Sequence, residues 1–124
     1  DVVFYSKNEE STYVEPCNAG FSIADKTKHI IDEQYSNSEL GLFLISEILG
    51  VSNSYISKIF KKQFGLGVIE YLNRVRVHKA KQLIGSGNMN IKDIAIKVGF
   101  TSDIHFIRVF KKYEQTTPGK YKNT

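Results

Sequence analysis

The sequence predicts an all-α fold of about seven helices, in which two similar helix-turn-helix units flank one long connecting helix. Three observations carry that expectation. Apolar residues recur at three- and four-residue spacing from Ala24 onward, and no segment after residue 22 alternates as a half-buried strand would. Glycines and hydroxyl residues fall where helices should stop and start. One passage of the chain also occurs twice.

At 124 residues and 41% apolar, the chain has enough material for one packed domain, or for two very small ones sharing a surface. Val2, Val3, Phe4 and Tyr5 suit a short strand, and Pro16, Asn18, Gly20 and Ser22 read as loop. Residues 1–22 are therefore expected to be a linker or the tail of an upstream domain. A start at Asp1 rather than Met fits a piece of a longer protein. The domain proper is expected over residues 23–124.

Ile30, Ile31 and Tyr35 place an apolar stripe on a first helix that runs from Ala24 to near Asn37. A second helix covers Leu42 to Leu49, and Gly50 ends it by reaching left-handed backbone angles without strain. Ser52 is placed to cap a third helix, Asn53 to Phe64, which closes at Gly65. A long helix follows from Val68 to Ile84 and stops at Gly85, Ser86 and Gly87. Shorter helices are expected over Ile91 to Val98 and Ser102 to Tyr113, and Pro118 starts a last turn through Tyr121. The first unit thus occupies about residues 41–65, the connecting helix 67–84 and the second unit 91–114.

The internal repeat pairs Ile45 to Ser52 (ISEILGVS) with Ile94 to Thr101 (IAIKVGFT). After one extra residue, Lys58 to Lys62 (KIFKK) pairs with Arg108 to Lys112 (RVFKK). Each copy reads as helix, glycine turn, hydroxyl cap and a second helix ending in basic residues, which is the order a helix-turn-helix needs. Gly50 and Gly99 are accordingly structural.

Each second helix has a core face and a free face. Ile56, Ile59, Phe60 and Phe64 line one side of the first, leaving Ser54, Ser57, Lys58 and Lys61 on the other. In the second copy Phe106, Val109, Phe110 and Tyr113 point inward, and Ile104, Ile107, Arg108 and Lys111 share the outer side. Such outer faces have the dimensions to enter a major groove. Lys58 and Arg108 hold equivalent positions suited to guanine edges. Ser52, Lys61, Lys62, Thr101, Lys111 and Lys112, at the helix ends, suit phosphates. Ile104 and Ile107 leave two readings open: contact with thymine methyl groups, or packing against a neighbouring helix or missing partner.

Charge agrees with a polyanionic partner. Residues 1–50 hold three Lys against nine acidic side chains, a net −6, while residues 51–124 hold fourteen Lys and Arg against four, a net +10. A connecting helix of about seventeen residues is roughly 26 Å long at about 1.5 Å per residue. With the flanking units, that suits recognition helices about 34 Å apart, one turn of duplex, with some bending of the DNA. Gly85 to Asn90 would let the second unit adjust.

The residues also resemble the AraC/XylS family of transcription regulators over about residues 25–122. The resemblance rests on Gly50 to Lys62 (GVSNSYISKIFKK), Glu70 to Asn73 (EYLN), Arg76, Ala80, Lys81, Ile94 and Ala95. It continues through Val98, Gly99, Phe100, Phe106, Arg108 to Lys112, Thr117, Pro118 and Tyr121. It implies a seven-helix domain that binds double-stranded promoter DNA, activation in the first instance, contact with RNA polymerase, and a sensing or dimerising domain upstream. It also implies base-reading roles for Ser54, Ser57 and Lys58 in the first unit, and for Asp103, Ile104, Ile107 and Arg108 in the second. Pro118 takes a structural role. Three positions depart from the family pattern: Ser46 replaces a small alanine, Gln115 replaces the glycine after the second recognition helix, and His105 replaces a common aromatic. The end of that helix is therefore expected to be remodelled.

Arg76 lies close to the apolar stripe of Leu72, Val77, Ala80, Leu83 and Ile84, where an unpartnered charge would be costly. A salt bridge or carbonyl contacts are expected, with Glu47 as a candidate partner. Nothing in the pattern calls for a metal or cofactor. His29, His78 and His105 fall on separate helices without ligand or nucleophile–base spacing, and the glycines at 85 and 87 follow a helix rather than a strand. Enzymatic activity is not expected. No apolar run spans a bilayer, so no membrane contact is expected in this segment, and the single Cys17 fits a reducing, cytoplasmic setting. The rival reading is a helical protein-interaction module, which would lack the steep salt dependence of phosphate binding.

Overall fold

A computed structural model describes residues 22–122, which form seven helices and no strands. The expectations for residues 1–21, the strand at Val2 to Tyr5 among them, lie outside the described residues. In chain order the helices are α1 (Ile23–Gln34), α2 (Leu42–Leu49), α3 (Asn53–Phe64), α4 (Val68–Ser86), α5 (Ile91–Lys97), α6 (Asp103–Glu114) and α7 (Pro118–Lys122).

The helices begin and end for local reasons. Ser22 caps α1 in a reciprocal arrangement with Asp25, and Gln63 at the end of α3 bonds to both side chains. Gly50 and Gly65 close α2 and α3 in left-handed conformation, as the sequence predicts. Several boundaries differ, most by a single residue, and three of them bear on the architecture. The first helix stops at Gln34 rather than near Asn37, and Leu40 returns its N–H to Asn37 O in the turn that follows. The connecting helix α4 runs two residues past Ile84: Gly85 is helical, and the left-handed cap is Gly87, whose N–H reaches Ile84 O at 3.0 Å. The segment that was to give the second unit freedom therefore begins later. The cap of α6 is Ser102, not Thr101; its Oγ accepts from the His105 N–H at 3.1 Å. The second turn is longer because α5 ends at Lys97, one residue short of its counterpart, so the extra residue falls before the cap.

Two cores result. The first gathers Ile31, Ile45, Ile56 and Phe60 from α1 to α3 with Val68 and Leu72 from α4. The second gathers Ile94, Phe100, Phe106 and Phe110 with Val77, Ala80 and Ile84, also from α4. Every substantial helix pairing lies within one unit or includes α4. The small helix α7 closes the second core, with Pro118 buried and the Tyr121 ring 5.5 Å from that of Phe110.

The end of α6 is not remodelled by the loss of glycine. Gln115 itself adopts the left-handed conformation at φ 64°, and its N–H reaches Lys111 O as the Gly65 N–H reaches Lys61 O. A side chain in this region is strained. Gln115→Gly should therefore stabilise the domain by about 0.5–1 kcal/mol, net of the added freedom of the unfolded chain. Urea denaturation reads this directly; an unchanged or lower midpoint would contradict it.

Ser46 also has a definite role. Its Oγ donates to Val51 O at 2.6 Å, tying the first turn to the end of α2, a bond that the equivalent Ala95 has no means to make.

Candidate nucleic-acid interface

The two second helices, α3 and α6, are alike from the cap outward. Counting from Ser52 and Ser102, Ser54 matches Ile104, Ser57 matches Ile107, Lys58 matches Arg108, and Lys61 and Lys62 match Lys111 and Lys112. On α3, Ser54, Lys58, Lys61 and Lys62 are exposed and Ser57 is half-buried. With Asn53 they line one shallow depression along the helix. The sequence-predicted residues of the first unit are thus brought together on a single face. Ser52, exposed beside them, is engaged as the cap, its Oγ accepting from the Tyr55 N–H at 3.1 Å.

On α6, Thr101, Ile104, Arg108, Lys111 and Lys112 are exposed, and Asp103 is half-buried at the first helical position. The two isoleucines part company. Ile104 is 68% exposed. Ile107 is half-buried and packs against the second core, which answers most of its apolar character without any partner. His105 keeps the ring contact expected of an aromatic, edge-on to Phe100 at 5.3 Å.

Among the described residues, Lys58, Lys61, Arg108 and Lys111 make no salt bridge, whereas Arg74 pairs with Glu70 and Lys81 with Glu114. Unpaired cations on two capped, exposed helices present a positive field to an approaching polyanion, with no internal ion pair to break first. Lysines in the last turn also sit favourably at the negative end of the helix dipole.

Two further exposed groups join this surface. Asn53 is the counterpart of Asp103, a match hidden in the sequence by the longer second turn. Tyr55, 49% exposed, is the counterpart of His105 and neighbours Ser54. Its helical spacing of three to Lys58 was the available signal.

Arg76 is buried, as its neighbours require, but Glu47 is not its partner: Glu47 is exposed. The guanidinium Nε donates to Tyr35 O at 2.8 Å and Nη2 to Asn37 O at 3.0 Å, so the carbonyl alternative is the one realised. Burial pushes the guanidinium below its ordinary pKa.

Two capped helix-turn-helix units of matched design on one connecting helix define a paired DNA-binding module. A helix-turn-helix domain family matches residues 45–124. The chain is 41% identical over 101 residues, 82% of its length, to the HTH-type transcriptional regulator YtdP of Bacillus subtilis, and spans 13% of that protein. It is 36% identical over 88 residues to the HTH-type transcriptional activator Btr of the same organism, covering 71% of this chain and 16% of Btr. Among solved structures, the C-terminal domain of the response regulator AraT from Geobacillus stearothermophilus superposes with a TM-score of 0.80 at 31% identity, covering 85% of this chain and 88% of that one. The DNA-binding domain of AdpA, solved in complex with a target DNA, shares the fold at a TM-score of 0.75 and 16% identity, over 82% and 91% of the two chains. The chain belongs to the AraC/XylS family of helix-turn-helix DNA-binding transcription regulators, which is not a family of enzymes.

Proposed function

We propose that this domain reads promoter DNA by setting α3 and α6 into two successive major grooves on one side of the duplex. The observation that carries this reading is the matched, unpaired pair Lys58 and Arg108, each at the sixth position of a capped and exposed helix. In it, Ser54, Ser57 and Lys58 meet base edges in one groove, and Asp103, Ile104 and Arg108 meet them in the next, with Ile107 reaching only its rim. Ile104 offers an apolar surface to a thymine methyl, and Asp103 an acceptor for a cytosine amino group. Ser52, Lys61, Lys62, Thr101, Lys111 and Lys112 hold the flanking phosphates and fix the register.

Binding at a promoter makes RNA polymerase the natural protein partner, in the cytoplasm, and the activator Btr among the relatives favours activation. Because the chain spans so little of its relatives' length, a sensing or dimerising domain upstream completes the regulator in this reading. No described helix is long and apolar enough to cross a membrane.

Selection from a pool of random duplexes should yield two constrained blocks centred about one helical turn apart. One block alone, or no enrichment, would overturn the two-groove reading. Lys61→Ala should weaken all duplexes alike and lower the slope of log K against log salt by about one. An unchanged slope would remove Lys61 from the phosphate contacts.

A further inference from the structure

The helix α4 passes from one core to the other within five residues: Leu72 belongs to the first, Val77 to the second, and Arg76 lies between them. At that point three parts of the chain converge. The Arg76 guanidinium holds the carbonyls of Tyr35 and Asn37, just beyond α1, and lies 5.4 Å over the Phe100 ring in the second turn. Gly99, buried and at φ 110°, presses against the same place. A Cβ added there would stand 2.5 Å from Tyr35 O, 2.7 Å from Arg76 Nε and 3.0 Å from its Cζ. Here the turn of the second unit touches the backbone of the first, whereas the substantial helix pairings reach across only through α4.

We propose that this junction of Gly99, Tyr35 and Arg76 sets the angle between α3 and α6, making Gly99 and Arg76 positioning residues for two-groove binding. The proposal rests on the two-groove reading above. A guanidinium is a planar fork, and with both tines engaged it fixes the direction of the carbonyls it holds. Tyr35 O lies at the end of α1, where the helix supplies no N–H of its own, and Asn37 O accepts from the Leu40 N–H as well as from Arg76. The groups facing Gly99 are a backbone oxygen and a clamped guanidinium rather than the loose end of a side chain, so added bulk must move the units apart. Asp103, four residues on, begins α6, and that rigid helix of about 18 Å carries any tilt to its far end. Because the second engagement is intramolecular, its gain depends on both helices meeting their grooves together.

The test has two arms. In a Cys17→Ser background, nitroxide labels at Glu47→Cys on α2 and Lys92→Cys on α5, both exposed, report the distance between units by dipolar electron resonance without DNA. Gly99→Ala should shift or broaden that distance, and Arg76→Lys, which keeps the charge but loses the fork, should broaden it. The second arm measures affinity for a selected duplex with both blocks intact, and for one with a block scrambled. Linkage can add about 10²–10⁴-fold; either variant should lose at least about tenfold of the intact-to-scrambled ratio while keeping its scrambled-duplex affinity. Thermal melting identifies a variant that fails to fold, and Arg76→Lys then decides. A wild-type distance and a wild-type ratio in Arg76→Lys overturn the proposal. Selection that yields no two-block site refutes the groove reading instead, and the distance arm still judges the junction.

Discussion

Phe106→Ala is expected to melt the second unit while leaving the first folded. The Phe106 side chain is fully buried, with the Phe100 ring 5.3 Å and the Phe110 ring 5.7 Å from its own. Removing it leaves a cavity among large rings that have little to collapse onto, a loss of about 3–5 kcal/mol. Set against the roughly 5–15 kcal/mol that holds a domain folded, that is a large share. The loss falls on α5, α6 and α7, because the buried members of the first core are a separate set and only the half-buried Tyr35 packs against both. Amide hydrogen exchange should show protection collapsing over residues 91–122 and persisting in α1 to α3. On DNA the footprint should shrink to one groove. Equal loss of protection throughout would mean that α4 makes the two cores a single cooperative body.

The second large effect is on recognition rather than folding. Arg108→Ala should cost about 1–3 kcal/mol in affinity and relax selectivity at a single base pair. Arg108 is exposed, makes no salt bridge and occupies the middle of α6, so its truncation leaves neither a cavity nor an orphaned acid inside the protein. A panel of duplexes carrying all four base pairs at each position separates the two roles of a cation. A base contact flattens one column of the panel. Uniform weakening of every duplex would make Arg108 a phosphate ligand.

Much of this architecture is legible from residue order, because helix ends are decided locally. Gly50 and Gly65 announce the stops that they make, and Ser52 the cap that it forms. Legibility fails where two neighbours compete for one task. Of Gly85 and Gly87, only the second takes the left-handed turn, since Ile84 is drawn into the second core and carries the helix onward. Of Thr101 and Ser102, the later hydroxyl caps α6, because α5 stops a residue early. The need of Arg76 for partners could be read from its apolar neighbours, but main-chain carbonyls have no signature in the residue types, so Glu47 stood in for them. The outer faces of α3 and α6 follow from helical period alone. The half-burial of Ile107 does not, since it depends on how the second core packs beneath α6.

The unequal faces of the two recognition helices bear on how such a domain lies along a promoter. Asn53, Ser54 and Ser57 on α3 are small hydrogen-bonding groups, where the matching positions of α6 hold Asp103, Ile104 and Ile107, one charged and two apolar. On the proposed docking, a monomer turned end for end on its operator would bring each helix to the wrong half. The operator is then an asymmetric sequence rather than a palindrome, and a single bound copy carries polarity, its first unit pointing upstream or downstream according to which strand bears the site.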